Sequence, residues 1–274
     1  MRAGIIPVVV AGMRVALGLE YDGRPWCGWQ SQSNGCGVQD QLELALMEVA
    51  GHPVRTHVAG RTDAGVHAMA QVAHFDTEVT RATNAWVRGV NAFLPSSIRV
   101  RWAMPVSEEF HARFTARGRH YQYLLLNGPV APAIMDGKAG WYHRPLDVGT
   151  MAAAANHLLG EHDFSAFRAA ECQAKSPVKQ LHQAEVRRVG EHILFEFFGN
   201  AFLHHQVRNM VGALVYIGRG SHPPSWMKGL LAAKDRTLAP PTFSPGGLYL
   251  TGVDYDPKWA LPECLRSCVA KGAS

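Results

Sequence analysis

The order of strand-like and helical segments constrains this fold more than any other feature, because one order occurs twice. In the first half, apolar alternation with period two and apolar faces with period near 3.6 predict strand, helix, strand, strand, helix, strand. These segments cover residues 14–20, 38–50, 54–58, 66–75, 84–93 and 98–102. A β-α-β-β-α-β order is that of a ferredoxin-like unit.

The second half repeats the order in pattern, with different letters. Its segments cover residues 119–126, 150–159, 181–189, 193–198, 203–217 and 248–253, with an extra helix at 225–233. The sequence therefore predicts an α+β fold of two related ferredoxin-like (βαββαβ-type) halves, whose antiparallel sheets flank a central cleft.

Strand patterning begins at Met13, which suggests three parts of the chain. We expect an N-terminal extension at 1–12, an N-terminal half at 13–110 and a C-terminal half at 111–274. The extension is expected to be dispensable, so that a chain starting at Met13 folds normally.

Between two predicted strands, residues 60–68 read GRTDAGVHA, a pattern typical of a reactive loop. Gly60 and Gly65 bracket Asp63, and glycines adopt backbone angles that other residues resist. Arg61 adds a nearby positive charge, which keeps a carboxylate ionised even when it is partly buried. A bare Asp-x-Gly usually only closes a turn, but the whole string indicates a nucleophile or base at Asp63.

The chain is basic, with a net charge of +5 and a pI of about 9.0. Much of the positive charge lies in three segments free of Asp and Glu. Their cations are Arg81, Arg88, Arg99, Arg101, Arg113, Arg117, Arg119, Arg208, Arg219, Lys228 and Lys234. Such segments suit a phosphate-rich partner, with ordinary surface charge as the alternative.

Cysteine and histidine patterns favour neither a metal site nor a disulfide framework. The five cysteines are Cys27, Cys36, Cys172, Cys264 and Cys268, and no two form C-x-x-C. We therefore expect reduced cytoplasmic thiols. Among the 14 histidines, His67 with His74, or His204 and His205 with Cys264 and Cys268, could be imagined as ligands, but neither set has a recognised metal-ligand spacing. No apolar run approaches the ~20 residues that span a bilayer.

Further motifs extend from Met13 to about Asp256. They are EYDGxxxxGWQ at 20–30, VQ at 38–39, NAFLP at 91–95, FHARFTARGRHYQY at 110–123, DFSAF at 163–167, FLHHQVRNMVG at 202–212, AAKDRTLAPP at 232–241 and GLYL at 247–250. With GRTDAGVHA, they resemble the TruA-type tRNA pseudouridine synthases. The chain departs from that pattern at Gln206, where methionine is usual, and slightly at 244–246.

The resemblance implies an isomerase that converts uridine to pseudouridine at positions 38, 39 and 40 of the tRNA anticodon stem-loop. It implies tRNA as the partner, a cytoplasmic homodimer and no membrane attachment. No cofactor is expected, because the reaction is neither a redox reaction nor a group donation, and chelators should leave turnover unchanged. A synthase acting on other uridines and a non-catalytic RNA-binding module are the alternatives.

The resemblance also assigns roles to particular side chains. Asp63 is the expected nucleophile, which either attacks C1′ or assists loss of the C2′ proton through a glycal. Tyr121 is expected to stack on the target base and to take part in proton transfer. Tyr123 points the same way by period two, and core packing is the alternative for either tyrosine.

Arg208 is expected to pair with Asp63, with phosphate binding as the alternative. On a helix at 203–217 it would share a face with His204, four residues earlier. The residues expected to contact substrate are Arg61, Tyr121, Arg208 and Leu248.

Overall fold

The computed structural model describes residues 12–262. The strands are β1 (Met13–Tyr21), β2 (His57–Val58), β3 (His67–Thr77), β4 (Ile98–Val106), β5 (Gly118–Asn127), β6 (Gly140–Tyr142), β7 (Gly160–Asp163), β8 (Val178–Val189), β9 (His192–Gly199) and β10 (Leu248–Asp254). The helices are α1 (Val38–Ala50), α2 (Thr83–Phe93), α3 (Val148–Ala155), α4 (Gln206–Gly218) and α5 (Trp226–Ala233). None of these helices combines the length and apolar character needed to cross a membrane.

The two halves share one strand order. In the N-terminal half, β1 lies between β4 and β3, with β2 beside β3. In the C-terminal half, β5 lies between β10 and β9, with β8 beside β9. Within each of these sets all neighbours are antiparallel, which is the ferredoxin-like arrangement. The predicted α+β class with two related halves is confirmed.

The two half-sheets are joined edge to edge in one ten-stranded sheet. The join is a short parallel pairing of β3 with β10, in which Tyr249 lies opposite His67 and Leu250 opposite Ala68. The antiparallel sheets predicted for the two halves are present, and this pairing makes them continuous where they meet. The physical reason is that β2 has only two residues and pairs with β3 at His74 and Ala73, which leaves the start of β3 open to β10.

The helices of both halves pack on one face of this sheet. A continuous core contains buried residues of β1, β3, β5, β8, β9 and β10 together with residues of all five helices. Helices α1 and α2 contact each other, as do α3 and α4. A smaller apolar cluster on the opposite face packs Phe110 and Ala112 against Ala16 and Val72. The sheet is therefore buried on both sides where the halves meet.

Helix α4 begins at Gln206, three residues after the predicted start. The preceding His205 has φ 63°, a left-handed conformation that no helix continues. Gln206 is fully buried, and its side-chain oxygen accepts a hydrogen bond from the Leu203 amide at 2.8 Å. Its side-chain nitrogen, Nε2, has no hydrogen-bond partner within residues 12–262.

The expectation of reduced thiols is wrong for Cys27 and Cys36, which form a disulfide. The Cys27 amide also donates to the Cys36 carbonyl at 2.9 Å, so a hairpin-like loop brings the two sulfurs together. Cys172 is a buried free thiol. Residues 1–11 of the expected extension, and Cys264 and Cys268, lie outside the described residues.

Candidate active site

Asp63 lies on the loop between β2 and β3, where the two halves meet. The Val66 amide donates to the Asp63 carbonyl at 3.1 Å, closing a turn in which Gly65 has φ 76°. A Cβ at Gly65 would also lie 3.0 Å from the Pro245 ring. The expected freedom of glycine is needed here. It is not needed at Gly60, whose φ is not positive, and that expectation is corrected.

A buried polar network holds the start of this loop. The Tyr21 hydroxyl and the Thr62 hydroxyl are 2.8 Å apart. The Gln71 amide nitrogen donates to the Gly60 carbonyl at 2.7 Å and to the Tyr21 hydroxyl at 3.2 Å. Burial raises the pKa of Tyr21 to about 12, so its hydroxyl stays protonated. Sequence reasoning missed this network, although Gln71, with apolar residues on both sides in β3, was a signal.

The loop that contains the disulfide packs against the other side of Asp63's backbone. The Trp29 amide donates to the Thr62 carbonyl at 3.0 Å. Gly28 has φ 95°, and a Cβ there would lie 2.6 Å from the Thr62 carbonyl oxygen. Trp29 itself is buried, so it packs this loop down and is not available to stack on a base. The main chain around Asp63 is therefore fixed from two sides.

Three cationic or potentially cationic side chains, one from the first turn of α4 and two from the residues just before it, surround the Asp63 carboxylate, which is 17% exposed. Arg208 donates from Nη1 to Oδ2 at 2.9 Å, and its Nε donates to the Phe243 carbonyl at 2.8 Å. His204 Nε2 is 3.2 Å from Oδ1, and His205 Nε2 is 3.4 Å from Oδ2. The first turn of a helix also favours a negative charge.

These contacts decide the protonation state of Asp63. Burial alone would raise the pKa of this carboxyl. The hydrogen bond from His204, the charge of His205 and the hydrogen bond from Arg208 outweigh burial and lower it below its ordinary value. In return, the hydrogen bond to Asp63 raises the pKa of His204. The carboxylate is ionised at neutral pH and poorly solvated, as a nucleophile or base requires.

Two expectations about this charge cluster need correction. Arg61 was expected to supply the neighbouring cation, but it is exposed and donates to Gln173 of the C-terminal half at 3.3 Å. Arg208 supplies the permanent positive charge instead, together with His204, whose pKa the hydrogen bond to Asp63 raises, whereas burial lowers the pKa of His205. His204 and Arg208 do not share a helical face, because His204 precedes α4. They meet at Asp63 because the left-handed His205 turns the chain.

Tyr121 and Tyr123 both point into the core under the helices, as their period-two spacing predicts. The Tyr123 hydroxyl donates to the Ser244 carbonyl at 2.9 Å. The Tyr121 hydroxyl has no hydrogen-bond partner among residues 12–262, and a Cβ at Gly60 would lie 3.8 Å from it. Burial raises the pKa of Tyr121. Leu248 is 5% exposed and lies opposite Tyr123 in the sheet.

Some arginines of the basic segments are structural. Arg119 is 8% exposed and donates to main-chain carbonyls of both halves. Its acceptors are the carbonyls of Ala59, Arg113, Ala116 and Asn200. Arg99 likewise donates to carbonyls at the end of α2. The cations of these segments with exposed side chains include Arg88, Arg113, Arg117, Arg219 and Lys228.

Comparison with known proteins bears directly on this site. Residues 19–115 and 154–256 match the sequence model of the tRNA pseudouridine synthase family. These two ranges make up well over half of the chain, and the first contains the Asp63 loop. The chain belongs to the tRNA pseudouridine synthase family. The second matched range contains His204, His205 and Arg208. Residues of the second range therefore contact the Asp63 carboxylate of the first.

The relatives align with this chain over almost the full length of both proteins. The chain is 63% identical to tRNA pseudouridine synthase A of Methylobacillus flagellatus over 254 residues, covering 93% of this chain and 97% of the relative. It is 61% identical to that of Dechloromonas aromatica, covering 92% and 96%. A solved archaeal box H/ACA sRNP Nop10–Cbf5 complex is similar over 74% of this chain and 43% of that chain, at 13% identity and a TM-score of 0.33. This likeness is too weak to bear on function.

Proposed function

We propose that this synthase isomerises uridine to pseudouridine at positions 38, 39 and 40 of the tRNA anticodon stem-loop, with Asp63 as the nucleophile. The observation that supports this most is the Asp63 carboxylate itself. It is 17% exposed, ionised through Arg208, His204 and His205, and held on a loop that is fixed from two sides. A turn residue would need none of these partners.

The reaction breaks the N1–C1′ bond, rotates the uracil and joins C5 to C1′. The proton on C5 is lost and N1 gains one, so no co-reactant is consumed. An ionised Asp63 can attack C1′, or it can accept the C2′ proton on the way to a glycal. Both routes need the negative charge that the contacts of Asp63 preserve.

The target base must leave its stack to reach Asp63, which costs a few kcal/mol. The other residues predicted to contact substrate are proposed to hold the base in this flipped position. The Tyr121 ring packs at 78° to Phe202, and its hydroxyl faces Gly60 at the start of the loop. We propose that it contacts the target base. Arg61 is exposed and donates to Gln173 of the C-terminal half at 3.3 Å, and we propose that it also contacts substrate. Leu248 is proposed to shape the site from the core side.

Mapping pseudouridine in tRNA tests the proposal. Unmodified tRNA incubated with the full chain should gain pseudouridine at positions 38, 39 and 40, and tRNA incubated without it should not. Modification confined to other positions would favour a synthase with a different target. Binding without any modification would favour the non-catalytic module and contradict the proposal.

Affinity for tRNA is expected to fall steeply with salt. Exposed cations such as Arg88, Arg113 and Lys228 would release condensed counterions, and about four phosphate contacts imply a loss on the order of 10²-fold between 50 and 200 mM salt. Filter binding at a series of KCl concentrations measures the slope, with a neutral osmolyte at equal osmolality as the control. A nearly flat dependence would contradict a phosphate-tracking surface.

We further propose that the chain works as a homodimer in the cytoplasm, where two copies would present one extended basic surface to tRNA. The support is the resemblance to the family and the tRNA named in its relatives. Sedimentation of the purified chain at micromolar concentration should give the mass of two copies. A monomer with full activity would contradict the dimer.

A further inference from the structure

Asp63, His204 and His205 form a cluster with a second chemical capacity. Each offers one ligand atom, and these atoms all lie within 4.8 Å of one another. His204 Nε2 lies 3.2 Å from one carboxylate oxygen, and His205 Nε2 lies 3.4 Å from the other. Two imidazoles and one carboxylate are a common ligand set for zinc in proteins. We propose that this cluster binds a divalent transition-metal ion of the Zn²⁺ type, and that the bound ion inhibits the enzyme.

The main chain brings the two imidazoles together in an unusual way. Side chains of consecutive residues generally point in different directions, yet the rings of His204 and His205 have centroids 4.1 Å apart. The left-handed conformation of His205 produces this convergence. Such backbone outliers in residues other than glycine cluster at functional sites. The pairing of the rings is therefore a feature of the fold.

The separations of the ligand atoms can be compared with those around a tetrahedral zinc ion. With bonds of about 2.0–2.1 Å, a tetrahedral ion separates its ligand atoms by about 3.3–3.4 Å. The 3.2 Å between His204 Nε2 and Oδ1 is close to that value, whereas His205 Nε2 lies 3.4 Å from the other oxygen, so both histidines reach one ion only when the carboxylate binds through both oxygens or the side chains shift. Mg²⁺, which tRNA solutions contain, prefers an octahedral shell of oxygen atoms and retains its waters. The cluster should therefore discriminate in favour of Zn²⁺ or Co²⁺.

Two further side chains define how such an ion would bind. The Glu171 carboxylate approaches His204 Nδ1 to 3.9 Å, on the ring atom opposite the ligand nitrogen. Carboxylates that accept a hydrogen bond from this ring atom orient ligating histidines, but 3.9 Å exceeds hydrogen-bond length and Glu171 is exposed, so here it adds only negative charge near the ring. Arg208 contacts Oδ2 of Asp63 at 2.9 Å, so an ion would occupy the Oδ1 side or displace the guanidinium. A competing cation limits affinity, which suits a reversible inhibitor.

Inhibition rests on the proposed function, because the ion would occupy the carboxylate that acts as the nucleophile. Metal binding itself does not rest on it. This site is not a cofactor site, and EDTA is expected to leave turnover unchanged or to raise it where buffers carry trace zinc.

Titrating the full chain with Co²⁺ and with Zn²⁺ tests the proposal. Four-coordinate Co²⁺ absorbs in the visible, so the wild type should gain bands that Zn²⁺ abolishes. His204→Asn and His205→Asn should each weaken Zn²⁺ affinity by about tenfold or more. His157→Asn, an exposed histidine on the short turn after α3, is the matched control and should bind as the wild type does.

Activity assays with millimolar Mg²⁺ and micromolar Zn²⁺ complete the test. Zn²⁺ should inhibit wild-type turnover reversibly, and EDTA should restore it. Equal Zn²⁺ affinity in the wild type, His204→Asn and His205→Asn would overturn the proposal, as would absence of the Co²⁺ bands. Bound Zn²⁺ without inhibition would keep the site and overturn its inhibitory role, whereas absence of pseudouridine formation in the metal-free assay would overturn the proposed function.

Discussion

Replacing Asp63 with asparagine is expected to bring pseudouridine formation below detection while tRNA binding survives. The amide keeps the shape of the side chain but has no negative charge, so it is a far poorer nucleophile and no base at neutral pH. Binding depends on phosphate contacts elsewhere. Affinity could even rise slightly, because a negative charge facing RNA is removed.

One folded preparation should supply both measurements for Asp63→Asn. Filter binding reports affinity, and chemical derivatisation of pseudouridine followed by mass spectrometry reports turnover, since isomerisation alone leaves the mass unchanged. Asp136→Asn makes the same charge change at an exposed position and should leave activity intact. Measurable turnover in Asp63→Asn would end the nucleophile assignment, because asparagine serves almost as well as aspartate in a turn.

Replacing Arg208 with methionine is expected to lower turnover by about 10²-fold or more, with a much smaller change in tRNA affinity. The variant leaves a poorly solvated carboxylate and the Phe243 carbonyl without their shared donor. Loss of Arg208 should raise the pKa of Asp63. The ionised fraction is lost as pH falls through that pKa, so the acid limb of the pH–rate profile should move to higher pH.

Arg208→Lys separates charge from geometry. A lysine keeps one positive charge but cannot bridge the Asp63 carboxylate and the Phe243 carbonyl as a guanidinium does, so partial rescue is expected. Arg187→Met removes an exposed arginine from β8 and serves as the control for folding. If Arg208→Met weakened binding in proportion to turnover, with an unshifted pH profile, Arg208 would be a phosphate contact, the alternative role.

Local pattern was enough to locate most elements of this fold. Helix α2 was expected at 84–93 and spans Thr83–Phe93, and β5 was expected at 119–126 and spans Gly118–Asn127. These segments were predictable because periodicity reports the burial of each residue. The pairing of β3 with β10 was not, because it depends on how far β2 extends along β3.

The candidate site, like the fold, could be predicted from the sequence only in part. Asp63 and Arg208 could be named from motifs, and the structure brings them into contact. The left-handed backbone at His205 could not be predicted, because no letter in the sequence requires it, and the convergence of both histidines on Asp63 follows from it. The role of Arg119 was also hidden, since a buried arginine and a surface arginine look alike in a sequence.

Because the site lies where the two halves join, the order in which a ribosome makes the chain determines when the site can form. Asp63 is synthesised early, but Arg208 follows 145 residues later, and β10, the neighbour of β3 at the loop, follows later still. A nascent chain therefore carries its aspartate, solvated and ionised, long before the partners that position it in a partly buried site have been made. Contacts between residues so far apart in the chain also form slowly. Emerging chains should consequently be inert toward the tRNA that surrounds the ribosome, and catalysis should begin only when the last strand has docked.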